Sequence, residues 1–219
     1  MSVWVKICGN TSLEDALLAA DAGADAVGFV FAASPRRVTP EQVARIVPHL
    51  PVSIEKIGVF VDAEADEIIA AVRRCGLTGV QLHGESAAEL PARLRAELGP
   101  KVRILRVVHF GDGAAERASA FAADPNIDAV LVDSRTAMAV GGTGVAFDWD
   151  EARKTVFGDG RTAKLIAAGG LSHENVAEAI ATLRPWGVDV VSGVEAAPGR
   201  KDSIKVRAFV TNSRTAQHE

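Results

Sequence analysis

Short runs of β-branched and aliphatic residues alternate with Ala-, Leu- and Glu-rich stretches along the whole chain, and this alternation limits the possible folds most. The stretches between the runs carry apolar residues at helical spacing, as in Leu13, Ala16, Leu17 and Ala20. Strands that alternate with helices in this way are typically parallel and joined by crossover helices. The strand-like runs are Val3–Ile7, Ala26–Phe31, Lys56–Val61, Gly79–Leu82, Val102–Val107, Ala129–Val132, Leu165–Ala168 and Val188–Val191.

Eight strand–helix units in 219 residues predict one α/β domain, residues 1–219, folded as a single (β/α)8 TIM barrel. The alternative is a doubly wound open sheet. That fold usually carries a G-x-G-x-x-G motif after its first strand, whereas Cys8-Gly9-Asn10-Thr11 stands here. No linker or change of composition divides the chain, which favours the single barrel.

Three residues predict where helices begin. Ser12 precedes an acidic first turn, Thr39 precedes Pro40, and Ser172 follows a glycine pair and precedes another acidic turn. Serine and threonine side chains accept hydrogen bonds from the first turn of a helix. We therefore expect helices to begin directly after Ser12, Thr39 and Ser172.

Composition argues against several classes of function. Charges of both signs are interspersed and the net charge is −4, which argues against a nucleic-acid partner. No apolar run approaches the roughly 20 residues of a membrane span, and the first residues lead into a strand rather than a signal peptide. Two cysteines provide neither a disulfide framework nor metal-ligand spacing. We expect a cytoplasmic monomer or homodimer without a membrane partner.

Alternation along the strands predicts which side chains face the barrel interior at its C-terminal end, where active sites of TIM barrels lie. Lys6 and Cys8, for example, share one face of the first strand, opposite an aliphatic face. Polar groups are scarce in such an interior, because burial without a partner is costly. We therefore predict a functional cluster at the barrel mouth. Its members are Lys6, Cys8, Gln81, His83, Arg106, Asp133 and Asp189.

Most of these residues also have a purely structural interpretation, and Arg106 could be only a counter-charge. Cys8 could be a small buried hydrophobe, His83 a hydrogen-bonding group at a strand end, and Asp133 a turn cap. Lys6 and Asp189 lie on the first and last strands, which become neighbours when a barrel closes, so we expect them to form an ion pair. That pair would place positive charge near Cys8 and favour its ionisation.

Glycine-rich loops follow the last two predicted strands. Because these two loops commonly hold phosphate in TIM barrels, we predict a phosphate site at Gly169-Gly170 and Ser192-Gly193. A third loop, Gly141–Gly144, could cover the mouth. Arg36, in the loop after the second strand, could bind another anionic group of the same ligand.

The sequence contains no metal cluster and no nucleotide fingerprint. The pattern therefore indicates a phosphorylated small molecule that lies across the mouth and undergoes acid–base chemistry without a cofactor. A thiol from the first strand and a carboxyl group from the sixth would face it.

Segments spread over the whole chain resemble phosphoribosylanthranilate isomerase, an enzyme family of tryptophan biosynthesis. The resemblance rests on their combination rather than on any one of them. Asn10 is a departure, because isoleucine is commoner at this position. The similar segments are Val5–Gly9, Gly28–Phe31 with Ser34–Arg36, Gly79–Gly84, Leu131–Asp133, Gly141–Gly144, Phe147–Trp149, Ala168–Leu171 with Asn175–Val176, and Val188–Asp189 with Ser192–Glu195.

The resemblance implies an Amadori rearrangement of N-(5-phosphoribosyl)anthranilate, in which Asp133 is the general acid and Cys8 the general base. Arg36 would bind the anthranilate carboxylate, His83 and Asp189 would also contact the substrate, and the two glycine loops would hold the 5-phosphate. The related isomerase of histidine biosynthesis uses two aspartates, so Cys8 argues against that activity. A catalytically inactive phosphosugar-binding barrel is the remaining alternative.

Overall fold

The computed structural model describes residues 2–134, 148–158 and 163–216. Its barrel strands are β1 Trp4–Ile7, β2 Ala26–Val30, β3 Glu55–Val61, β4 Gly79–His83, β5 Arg103–His109, β6 Ala129–Asp133, β7 Leu165–Ala168 and β8 Gly187–Val190. These strands are parallel and follow one another in sequence order, and β1 pairs with β8 to close the barrel. The predicted TIM barrel is confirmed.

Helices connect the strands and cover the outside of the barrel. An antiparallel hairpin, β9 Glu195–Ala197 and β10 Arg200–Lys201, follows β8. None of the helices in the described part of the chain is long and apolar enough to cross a membrane. The helices are α1 Leu13–Asp21, α2 Pro40–Ile46, α3 Ala65–Cys75, α4 Leu90–Leu98, α5 Ala114–Ala123, α6 Trp149–Thr155, α7 Val176–Leu183 and α8 Ser203–Thr215.

Two of the three predicted helix starts are confirmed. The Ser12 side chain accepts a hydrogen bond from the N–H of Asp15 in the first turn of α1. Thr39 forms a capping box with Gln42 at the start of α2, where Pro40 occupies the first turn. Local side-chain chemistry is therefore sufficient to begin both helices.

The predicted helix start at Ser172 is wrong, because α7 begins at Val176 with Asn175 as its N-cap. The Ser172 hydroxyl accepts from the N–H of Glu174, two residues further on, and this contact stabilises a turn. Asn175 holds the same turn, since its side chain accepts from the Ser172 N–H and donates to the Gly170 carbonyl. The turn extends the loop after β7 before the helix begins.

Side chains alternate between two apolar cores along the strands. Those that point outward pack against the helices, and those that point inward fill the barrel. This alternation decides which polar side chains reach the interior. The inward-facing apolar residues include Trp4, Ala26, Ile57, Leu105, Val107, Ala129, Leu131, Ile166 and Ala168.

Aromatic and charged side chains close the N-terminal end of the barrel. The rings of Trp4 and Trp186 stack with their centroids 5.3 Å apart, and the Arg103 guanidinium lies over both. Glu55 accepts hydrogen bonds from Arg103 and from the Trp4 indole. The open space of the barrel therefore lies at its other end.

Candidate active site

A cavity of about 310 Å³ opens at the C-terminal ends of the strands. The barrel brings together at this cavity all of the predicted site residues except Lys6, Arg106 and Gly193. Their convergence from six different strand ends or loops makes this cavity the candidate active site. The predicted residues that line it are Cys8, Arg36, Gln81, His83, Asp133, Gly169, Gly170, Asp189 and Ser192.

The Cys8 thiol follows β1 and borders the cavity, although the residue is only 3% exposed. Gly28 on the neighbouring β2 leaves room for it, because a Cβ at Gly28 would overlap the Cys8 sulfur. Burial raises the pKa of the Cys8 thiol. Lys6 acts in the expected direction and lowers this pKa, but desolvation outweighs it in the protein without substrate.

The predicted ion pair between Lys6 and Asp189 is confirmed. The Lys6 ammonium lies 2.9 Å from Asp189 Oδ1 and 2.9 Å from Gln81 Oε1, and the Lys6 side chain is fully buried. Burial by itself would lower the pKa of Lys6, but the Asp189 carboxylate raises it, so the lysine stays charged. Asp189 thus borders the cavity with its carboxylate already engaged by a cation.

Asp133 ends β6 and faces the same cavity. It pairs in register with His109 on β5 and with Ala168 on β7. Gly169 follows Ala168, and a Cβ at Gly169 would overlap the Asp133 carboxylate. The carboxyl group therefore lies directly beside the glycine loop after β7.

The prediction that Arg106 faces the mouth is wrong. Arg106 shares the outward face of β5 with Ile104 and Val108, which pack in the outer core. Its guanidinium donates to the Ser86 hydroxyl at 2.7 Å and lies over the Phe121 ring on α5. Arg106 therefore belongs to the layer between barrel and helices.

The imidazole that β5 presents to the mouth belongs to His109. The strand continues to this residue, two positions beyond its predicted end at Val107. His109 Nε2 lies 3.1 Å from His83 Nε2, so one ring donates a hydrogen bond and the other accepts it. Burial lowers the pKa of His83, and His109 lowers it further, which favours a neutral imidazole at His83.

Arg36 reaches the cavity from the loop after β2 and is held by Glu195. Arg36 Nε donates to Glu195 Oε1 at 2.7 Å, and a terminal nitrogen donates to Oε2 at 2.6 Å. These hydrogen bonds raise the pKa of Arg36 and fix the plane of its guanidinium. A guanidinium has more N–H donors than the pair with Glu195 uses, so Arg36 can bind a second carboxylate.

Lys201 lies behind Cys8, on β10. Its ammonium donates to the Cys8 carbonyl at 2.6 Å, to the Val191 carbonyl at 3.1 Å and to Glu195 Oε1 at 3.4 Å. Burial lowers the pKa of Lys201, and Glu195 opposes this effect. The lysine connects the end of β1 to the loop after β8.

The two predicted phosphate loops lie against each other. Gly169 and Gly170 have φ values of +82° and +66°, which favour glycine, and Ser192–Val194 form a short 3-10 helix. A Cβ at Gly193 would overlap the Leu171 carbonyl oxygen. Gly193 thus lies behind the cavity surface and allows the loops to touch.

Three residues of the site do not stand out in the sequence: His109, Glu195 and Lys201. The alternation of Leu105, Val107 and His109 would identify the first if the strand were extended to its true end. Glu195 and Lys201 lie on the short hairpin after β8, where no periodic pattern distinguishes a buried charge from an exposed one.

The Gly141–Gly144 loop lies outside the described residues, so its place over the mouth stays a prediction. Among residues 2–134, 148–158 and 163–216, no cluster of three or more His, Cys, Asp and Glu side chains is arranged to hold a metal ion. The chemical groups that the described part of the chain brings to the cavity include a thiol, carboxyl groups, an imidazole and a guanidinium.

Known proteins are similar to this chain in both sequence and fold. The family model for N-(5'-phosphoribosyl)anthranilate isomerase matches residues 5–212. The N-(5'-phosphoribosyl)anthranilate isomerase of Pelobacter propionicus is 45% identical over 217 residues, which cover 98% of this chain and 97% of that protein. The chain belongs to the phosphoribosylanthranilate isomerase family.

Solved structures of phosphoribosylanthranilate isomerases superpose on the whole barrel. The enzyme from Thermotoga maritima is 38% identical with a TM-score of 0.83, over 96% of this chain and 98% of that one. Another was solved in complex with reduced 1-(o-carboxyphenylamino)-1-deoxyribulose 5-phosphate. It is 36% identical with a TM-score of 0.80, over the same shares of the two chains.

Asn10, where the resemblance leads us to expect isoleucine, is fully buried. Its side-chain amide donates to the carbonyls of Ile7 and Gly28. Asn10 therefore ties the end of β1 to β2 immediately beside Cys8.

Proposed function

We propose that this protein catalyses the rearrangement of N-(5'-phosphoribosyl)anthranilate to 1-(o-carboxyphenylamino)-1-deoxyribulose 5-phosphate in tryptophan biosynthesis. The observation that supports this most is one cavity bordered by the Cys8 thiol, the Asp133 carboxyl group and the Arg36 guanidinium. A related isomerase of the same fold was solved with the reduced form of this product, which supports the same substrate here.

In the proposed first step, Asp133 donates a proton to the ring oxygen of the ribose. The bond between that oxygen and C1 breaks, and the lone pair of the anthranilate nitrogen forms a C=N bond. The product is an open-chain iminium ion. Leu131 and Ala168 border the cavity beside Asp133, and an apolar lining of this kind strengthens the electrostatic interactions of the acid with the substrate.

In the proposed second step, the Cys8 thiolate removes the proton from C2, which the adjacent iminium makes acidic. The electrons of the C–H bond form a C1=C2 double bond, and those of the C=N bond return to nitrogen. The resulting enolamine loses its O2 proton and gains one at C1, so the ketone is an isomer of the substrate. The raised pKa of Cys8 makes its thiolate a stronger proton acceptor once it forms.

The same proposal assigns the binding groups. Arg36 would pair with the anthranilate carboxylate, and backbone N–H groups of Gly169-Gly170 and Ser192-Gly193 would hold the 5-phosphate. His83 would donate to or accept from the sugar hydroxyls. Asp189, held by Lys6, would contact the substrate only through its remaining lone pairs. We also infer a cytoplasmic monomer or homodimer.

Turnover of freshly formed phosphoribosylanthranilate, followed by loss of its anthranilate fluorescence, tests the function. We expect Cys8→Ala and Asp133→Asn each to lower kcat by about 10²- to 10⁴-fold, the usual contribution of a general base or acid. Cys75→Ala is the matched control, because it removes the other buried thiol at the end of α3 and should retain activity.

Circular dichroism would show that each variant keeps its fold. Full activity in Cys8→Ala or Asp133→Asn would contradict the acid–base assignment. Failure of the wild-type protein to consume this substrate would contradict the function itself and favour a phosphosugar-binding barrel.

A further inference from the structure

A buried group of charges lies behind the candidate active site and is not needed to explain the proposed chemistry. It consists of Arg36, Glu195 and Lys201, here called the rear cluster. Of these residues only Arg36 borders the cavity. The side chains of Glu195 and Lys201 are 5% and 0% exposed. Because burial of charge is costly, the presence of these two buried charged side chains calls for a physical explanation.

The contacts of Lys201 favour the ammonium form of its side chain. Its nitrogen has three acceptors: the carbonyls of Cys8 and Val191 and the carboxylate of Glu195. A neutral amine has too few N–H groups to satisfy all three, whereas an ammonium satisfies them. An ammonium at Lys201 places a positive charge against the main chain of Cys8.

Glu195 connects Lys201 to Arg36, the member of the rear cluster that borders the cavity. The same carboxylate accepts two hydrogen bonds from Arg36, one from Lys201 and one from the Gly199 N–H. Arg36 in turn rests on the backbone of Gly9, where an added Cβ would lie 2.8 Å from Arg36 Cδ. One carboxylate thus sets the position of Arg36 and the position of the ammonium behind Cys8.

The charges of the rear cluster do not cancel, because it contains two cations and one anion. The positive charge in excess lies close to Cys8, which must lose a proton, and Arg36 carries part of it to the cavity, which must accept an anionic substrate. Removal of Lys201 would leave Arg36 fully offset by Glu195. Removal of the Glu195 charge would leave both cations without a counter-ion.

We propose that Lys201 and Glu195 are positioning residues for the isomerisation. Lys201 fixes the main chain of Cys8 and supplies the positive charge that favours its thiolate. Glu195 orients Arg36 toward the substrate, and its carboxylate partly offsets the positive charge of Lys201. The catalytic part of this inference rests on the proposed function, whereas the effect on the thiol does not.

Other charged groups also surround Cys8. Lys6 and Asp189 face it from the barrel interior and Arg36 from the loop after β2, while His83 and Asp133 border the same cavity. Burial raises the pKa of Cys8, and Lys201 lowers it. Substitution of Lys201, which does not border the cavity, should therefore move the thiol's titration without removing any group that lines the cavity.

Ultraviolet absorbance of the thiolate, titrated against pH, measures the proposed effect directly. The experiment uses Cys75→Ala as its parent, so that Cys8 is the remaining thiol of the sequence. We expect Lys201→Met to raise the pKa of Cys8 by about one unit, the effect of removing one nearby opposite charge. The matched control is Lys56→Met, because Lys56 is also buried and also donates to a main-chain carbonyl, that of Pro51.

Glu195→Gln, in the same parent, should move the pKa of Cys8 in the opposite direction, since the offsetting carboxylate is lost. It should also raise KM more than it lowers kcat, because Arg36 loses its orientation. General damage to the fold would not give shifts of opposite sign. The prediction for Glu195→Gln stands by itself if Lys201→Met does not fold.

An unchanged Cys8 titration in Lys201→Met, an equal rise in Lys56→Met, or shifts of the same sign in Lys201→Met and Glu195→Gln would each overturn the proposal. Opposite shifts with a KM effect in Glu195→Gln would support it. A wild-type protein without turnover would refute the proposed function, while the absorbance titration would still decide the role of Lys201 toward the thiol.

Discussion

The candidate base is positioned by a missing side chain on the neighbouring strand. Gly28 on β2 leaves the space that the Cys8 sulfur occupies, and a methyl group there would compete for it. Proton transfer needs the base within hydrogen-bond reach of the proton, so a small displacement has a large effect on rate. The sequence resemblance includes Gly28, but its physical role becomes visible only across two strands.

Gly28→Ala should therefore lower kcat by about 10²-fold, as expected for a misplacement on the order of 1 Å, with little change in KM. Steady-state turnover of phosphoribosylanthranilate measures both constants. Gly158→Ala is the control, because a Cβ there would meet only backbone oxygens at 3.9 Å. Wild-type kcat in Gly28→Ala would show that the thiol does not need this space.

Individual site residues were predictable where strand alternation places them. Cys8 directly follows a strand whose two faces differ in polarity, and Asp133 is the one polar residue of an otherwise apolar strand. Glu195 and Lys201 were not predictable, because their partners are far away in sequence: 159 residues separate Glu195 from Arg36, and 193 separate Lys201 from Cys8. Contacts of this range leave no local pattern.

At the scale of elements, the end of β5 decides which side chain joins the site. A strand that ends at Val107 suggests Arg106 as its last polar side chain, whereas the true strand reaches His109. Arginine is a poor guide to strand orientation, because its aliphatic stem packs well in an apolar layer while its guanidinium finds partners at the edge. The start of α7 was also mispredicted from local sequence, because Ser172 stabilises a turn rather than the first turn of the helix.

The contact between the loops after β7 and β8 gives a prediction for Gly193. A Cβ at Gly193 would collide with the Leu171 carbonyl, so Gly193→Ala should separate the loops and weaken phosphate binding. We expect KM to rise about tenfold or more, the value of one hydrogen bond to a charged group, with a smaller change in kcat.

Inhibition by inorganic phosphate should weaken in parallel with the rise in KM. Gly158→Ala again serves as the control for a glycine-to-alanine change. An unchanged KM and unchanged phosphate inhibition in Gly193→Ala would place the phosphate elsewhere.

Across the whole molecule, the contacts that seal the barrel and the groups of the candidate site lie at opposite ends of the strands. The N-terminal end is sealed by Trp4, Trp186, Arg103 and Glu55. The C-terminal end is open and carries the polar groups of the candidate site. This division is a property of the closed barrel, and the count of strand–helix units was sufficient to predict the barrel.

Arg103→Met should therefore lower the free energy of unfolding by about 1–2 kcal/mol, through loss of its cation–π contacts and its pair with Glu55, and leave kcat unchanged. Denaturant unfolding and steady-state turnover measure the two effects. Arg93→Met is the control, because the ion pair of Arg93 with Asp66 is exposed and should contribute little. A loss of activity without a loss of stability would contradict this division.

The pairing of β1 with β8 has a consequence for the order of folding. Lys6 and Asp189 meet across this seam from positions 183 residues apart, and contacts that close so long a loop carry a large entropy cost. We expect the seam to form after the intervening strand–helix units. Until then the Cys8 thiol has neither Lys201 behind it nor β8 beside it. Its protection from small alkylating reagents during refolding should therefore mark the moment at which the ring of strands closes.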